Sequence, residues 1–263
     1  VSGNIVAIGE ISNNTTKIYK WNGTSWNQLG ENIDGEAIYD GSGYSVSLNS
    51  VGDIVAIGAP FNDGPDNNNG HTRIFQYNDS DWVQLGQDID GEKRNNLSGY
   101  SVSLNSVGNI VAIGAPFNDG GGGPNRGHTR IFQYNSSSNA WNQLGGDLDG
   151  EANKDKSGES VSLNSVGDIV AIGGIGAIGN DDERGHTRIF QYNSSSNAWN
   201  QLGGDIDGEA IYDNSGYSVS LNSQGDIVAI GAKRNDGGGF NSGQTRIFQY
   251  NSSSNAWNQL GGD

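Results

Sequence analysis

The chain has 263 residues, of which 43 are glycine and none is cysteine or methionine, and its 14 Lys and Arg against 30 Asp and Glu leave a formal charge of −16. No apolar run approaches the ~20 residues of a bilayer-spanning helix, so no transmembrane span is expected, and a surface this acidic repels nucleic acid. Without cysteine there is no disulfide framework and no cysteine-held metal, while the apolar residues fall in regular clusters that argue for a folded chain.

The chain starts at Val1, with no charged and then apolar leader after it. The string IVAIG then begins at Ile5, Ile54, Ile110, Ile169 and Ile227. TRIFQYN begins at Thr72, Thr129, Thr187 and Thr245, with TKIYKWN at Thr16 as a fifth copy. WNQLG, or WVQLG in the second copy, ends at Gly30, Gly86, Gly145, Gly203 and Gly261. SVSLN begins at Ser45, Ser101, Ser160 and Ser218 only. Self-similarity at about 50 residues marks a repeat architecture.

Each unit reads as four short strands, A to D. Strand A is SVSLN, where Val46 and Leu48 alternate with Ser45 and Ser47, the period of a half-buried strand. Strand B is IVAIG, apolar without alternation, and is expected to be covered on both faces. Strand C is the TRIFQYN segment and strand D the Trp-headed WNQLG block. A turn of the type Asn49-Ser50-Val51-Gly52-Asp53 joins A to B, with glycine where a positive φ is needed. Four antiparallel strands per unit predict the blades of a β-propeller.

The expected fold is therefore all-β: five blades at approximately 1–30, 31–86, 87–145, 146–203 and 204–263, forming a single propeller domain over residues 1–263. The first blade lacks its innermost strand, giving nineteen strands in all. The expectation is a slice of a longer chain, in which a further segment would return to the first blade as strand A. The five Trp that head strand D (Trp26, Trp82, Trp141, Trp199, Trp257) are expected between blades, each burying roughly 150–250 Å².

The stretch Ser42–Pro60 resembles an FG-GAP repeat, the blade unit of integrin α-subunit propellers. Gly58-Ala59-Pro60 and Gly114-Ala115-Pro116 match the GAP element, and Gly43-Tyr44-Ser45-Val46 matches the part after the FG pair, with Ser42 in place of Phe. Gly173-Gly174-Ile175 and Gly231-Ala232-Lys233 depart from GAP in the later blades. The resemblance covers strands A and B of four blades. It implies a propeller, and calcium in the A–B loop, although here that loop is short and holds one carboxylate.

Alternate loops lie on opposite faces of the disc, and the long B–C and D–A loops share one. Loops on a rigid scaffold usually carry function, so any ligand site is expected there. Asp63, Asp119, Asp181 and Asp236, in recurrent Asn-Asp-Gly or Asn-Asp-Asp patterns, are the candidate Ca²⁺ ligands; the competing reading is turn chemistry. On the other face, Asn22, Asn78, Asn135, Asn193 and Asn251 form one N-x-[ST] sequon per C–D hairpin, the candidate glycosylation sites. His71, His128 and His186 share one repeat position with Gln244 and Thr15, and read as strand-end polar residues.

No nucleophile elbow or asymmetric catalytic cluster stands out, and no catalytic residue is assigned. The expectation is a non-enzymatic extracellular or cell-surface module for adhesion, scaffolding or assembly. It would bind a protein or glycan partner through the broad loop face, with no nucleic acid, no membrane insertion and no required cofactor beyond possible Ca²⁺. The alternative is a multivalent lectin, and the third reading a secreted hydrolase, marked by one asymmetric pocket with perturbed carboxylates.

Overall fold

A computed structural model describes residues 3–64, 67–119, 123–176 and 183–262. It forms five antiparallel sheets in chain order, and the chain is a five-bladed β-propeller. Blade three shows the pattern: strand A (Ser101–Leu104), strand B (Ile110–Ala115), strand C (His128–Asn135) and strand D (Ala140–Gln143) pair in sequence order. Ala112 stands opposite Ser103 on one side and Ile131 on the other. The first blade carries strands B, C and D only, at Ile5–Glu10, Thr15–Trp21 and Trp26–Gln28.

Strand B is buried at all six positions in blades two, three and four, because sheet neighbours flank it and adjoining blades cover both faces. The A–B hairpin is closed by one side chain. Asn105 Oδ1 accepts the backbone N–H groups of Gly108, Asn109 and Ile110, with Gly108 at φ 86°. Asparagine supplies the acceptor and glycine the left-handed backbone.

One element differs from the sequence expectation. The Asp-Gly-Glu segments are not wholly loop: Ile33–Asp34, Ile89–Asp90, Leu148–Asp149 and Ile206–Asp207 are two-residue strands pairing with the start of strand C. Gly145, at φ 77°, breaks strand D, and the chain bends back so that Leu148 is buried opposite Thr129.

The core lies between blades. Among the described residues, four apolar clusters fill the four junctions between successive blades, and none joins the fifth to the first. Each junction is also stitched by hydrogen bonds from the repeat. Ser101 Oγ donates to Gly158 O at 2.8 Å, Leu163 N donates to Ser103 Oγ at 3.0 Å, and Arg130 Nη2 donates to Asp90 O at 2.6 Å while its guanidinium lies over Phe132. The strand A serines thus carry inter-blade bonds, which explains their recurrence. Trp82, Trp141 and Trp199 are buried in the junctions. Trp26, at the same position in the first blade, is 47% exposed. Among the described residues no helix is long and apolar enough to cross a membrane.

Candidate functional site

Strand A runs beside the axis and begins at the face of the B–C and D–A loops. The residue after its leading glycine is Tyr44, Tyr100 and Tyr217 in three blades but Glu159 in blade four. Glu159 is only 8% exposed. The Tyr100 hydroxyl donates to Glu159 Oε1 at 3.4 Å, and Tyr44 packs on Tyr100 with ring centroids 4.8 Å apart.

A cavity of about 570 Å³ opens here, lined by Tyr100, Glu159, Lys154, Lys156, Lys233 and Arg234 among others. Its cations come from loops: Lys154 and Lys156 from the D–A segment before strand A of blade four, Lys233 and Arg234 from the B–C loop of blade five. Four of the chain's 14 basic residues therefore gather at one opening of a strongly acidic protein. Lys233 Nζ sits 3.5 Å from the centroid of the Tyr217 ring.

Burial sets the protonation behaviour. It pushes the Glu159 carboxyl above the usual range, against the opposing pull of Lys233, Lys156 and the Tyr100 hydrogen bond. It also raises the Tyr100 phenol and lowers the Lys233 ammonium. A buried carboxylate of raised basicity, a phenol held protonated and lysines in one cavity can relay a proton and stabilise a developing oxyanion.

A second group recurs at the outer part of the same face. His71 Nδ1 lies 3.8 Å from Glu36 Oε2 and 4.0 Å from Asp88 Oδ2. In the next blade, His128 Nδ1 lies 3.9 Å from Glu92 Oε2 and 3.8 Å from Asp147 Oδ2. Burial, reinforced by Arg73 and Arg130, brings both imidazoles down to about 4, so they are neutral at physiological pH.

The candidate calcium residues sit in separate blades. Asp63, Asp119 and Asp236 each accept a backbone N–H of their own loop through Oδ1, from Asn68, Asn125 and Asn241 at 3.2, 3.1 and 2.6 Å. Asp181 lies outside the described residues. The sequon asparagines Asn22, Asn78, Asn135, Asn193 and Asn251 are all exposed at hairpin tips, where each Oδ1 accepts a backbone N–H two residues on, at 2.9–3.1 Å.

No known family's sequence pattern matches the chain, and no curated protein matches it in sequence. Solved structures do. A periplasmic gluconolactonase of Pseudomonas aeruginosa superposes with a TM-score of 0.63 at 10% identity, over 98% of this chain and 67% of that one. A protein of Bacteroides uniformis named for 6-phosphogluconolactonase activity gives 0.53 at 9% identity, over 98% of this chain and 81% of that one.

These comparisons correct the sequence expectation in three respects. The FG-GAP, integrin-type resemblance is not supported: it rested on strand A and B residues, and the similar propellers are of another type. The expectation of a non-enzymatic adhesion, scaffold or structural glycoprotein is corrected by structural neighbours that are named as lactonases. The lectin alternative loses its stacking platforms, because Trp82, Trp141 and Trp199 are buried. Sequence reasoning missed Glu159, Lys156 and Lys233. The available signal is departure from the repeat: Glu where other blades have Tyr, and Lys233 where Gly-Ala-Pro is expected. The fold that these solved structures share with the chain is the β-propeller.

Proposed function

We propose that the protein is a hydrolase that opens the ring of an anionic sugar-acid lactone in the Glu159 cavity. The observation that carries this is Glu159 itself: the one carboxylate at a position otherwise held by tyrosine, 8% exposed, with its basicity raised by burial. In this reading Glu159 takes a proton from the attacking water. Lys156 and Lys233 balance the negative charge that grows on the carbonyl oxygen, and the Tyr100 hydroxyl fixes the carboxylate. The proton then passes to the ring oxygen as the ester bond breaks, leaving a hydroxy acid. The gluconolactonase and 6-phosphogluconolactonase names of structurally similar proteins support the lactone class, and the cluster of cations supports a substrate with an acidic group.

The test is ring opening of gluconolactone and its 6-phosphate, corrected for spontaneous hydrolysis. Replacing the base, Glu159→Gln, should lower kcat by about 10²–10⁴-fold. Full activity in that variant, or no rate above the spontaneous one, contradicts the proposal. The periplasmic setting of one similar protein supports a location outside the cytoplasm.

A further inference from the structure

We propose that Glu36, His71 and Asp88, and equally Glu92, His128 and Asp147, form two equivalent binding sites for a first-row divalent cation of the Zn²⁺ type. They are separate from the Glu159 cavity and independent of its chemistry. In each trio the three ligand atoms lie within 4.8 Å of one another. Carboxylate oxygens at 3.8–4.0 Å from the imidazole nitrogen are too far for a hydrogen bond. Two ligands held about 2.0–2.2 Å from one cation, by contrast, stand roughly 3.4 Å apart at a tetrahedral angle. Closure of about half an ångström would bring each imidazole–carboxylate pair to that spacing, with water supplying the remaining position.

The outer atoms of each trio are already occupied, which aims the inner ones. Glu36 Oε1 faces Arg73 Nη1 at 3.9 Å, leaving Oε2 toward the imidazole. Asp88 Oδ1 accepts from Gln84 Nε2 at 2.6 Å, leaving Oδ2 toward it. Blade three repeats both: Arg130 Nη1 stands 4.0 Å from Glu92 Oε1, and Gln143 Nε2 donates to Asp147 Oδ1 at 2.7 Å. Such outer partners orient metal ligands.

The imidazole is the independent observation. His71 and His128 are each 1% exposed, and the Nδ1 of each is aimed between two carboxylates that it does not bond. The first trio also lines a cavity of about 740 Å³, so an ion has access and room for water. One nitrogen and two carboxylate oxygens, with no sulfur, suit zinc and its first-row neighbours.

Other blades supply internal controls. In blade four His186 Nδ1 instead lies 3.5 Å from the buried Asp155. In blade five the histidine is Gln244, in a strand with the same pairing as its equivalents. Glutamine is therefore compatible with the fold at this position.

The experiment is calorimetric titration and native mass spectrometry of chelator-stripped protein with ZnCl₂. The wild type should bind two ions, His71→Gln one, and His71→Gln/His128→Gln none, with circular dichroism and melting showing the double variant folded. No zinc uptake by the wild type, or uptake unchanged in the folded double variant, overturns the proposal.

Discussion

Trp141 Nε1 donates a 2.7 Å hydrogen bond to the carbonyl oxygen of Leu85, one blade upstream. The same bond runs from Trp82 to Leu29, Trp199 to Leu144 and Trp257 to Leu202, at 2.7–2.8 Å. Each indole also covers the glycine after that leucine: Gly86, at φ 77°, has the Trp141 ring where a side chain would stand. Strand D is thus a latch whose plug is tryptophan and whose socket is the Leu-Gly end of the preceding blade.

Trp141→Ala should cost about 3–5 kcal/mol, the usual loss for a buried aromatic. Trp26→Ala, changing the same repeat position where the indole is 47% exposed, should cost far less. Equal losses for the two in chemical denaturation would contradict the latch.

Blades approach each other closely at the glycine of strand B. A Cβ added at Gly114 would run into the carbonyl oxygen of Gly158, where Ser101 also donates, and into Ser101 Oγ itself. Gly114→Ala should destabilise by about 1–3 kcal/mol, as overpacking does. Gly231→Ala, where only Ser218 is near, should cost less. Thermal melts of the two variants check this.

Glu159 should lower stability where it serves chemistry. Its native carboxyl holds a proton more tightly than the unfolded chain does. The stabilising contribution is therefore complete below the ordinary glutamate range and is lost as pH rises through the raised native value. At pH 8 Glu159→Gln should melt at or above the wild-type temperature, and the difference should shrink toward pH 4. A variant clearly less stable than wild type at pH 8 would mean that the carboxylate is held by its lysines for structure.

The lysines should govern substrate charge. Lys156→Gln and Lys233→Gln should raise KM for a phosphorylated lactone more than for the neutral one, and added salt should weaken the phosphorylated substrate selectively. Equal effects on both substrates would place the charge preference elsewhere.

The repeat made the fold legible. Strand B shows its two-sided burial in Ile54–Ala59, and the tryptophans show their junctions, because blade packing recurs at one sequence period. The candidate sites are less legible because they are built from exceptions to the repeat and from distant partners. Glu159 differs from Tyr44, Tyr100 and Tyr217 by one residue in an otherwise constant segment, and Lys233 reaches it from the next blade. The His71 trio joins a D–A loop residue, a strand C residue and one beyond strand D, so that no contiguous motif announces it. The short strand at Leu148–Asp149 was hidden by the glycines that flank it.

The pH dependence of kcat/KM for lactone opening, in the wild type and Glu159→Gln, tests the central claim most directly. The account predicts a wild-type rate that rises on deprotonation of a group above the normal glutamate range, and a variant in which that limb is gone and the rate is about 10²–10⁴-fold lower. A limb that persists unchanged in the variant would contradict it.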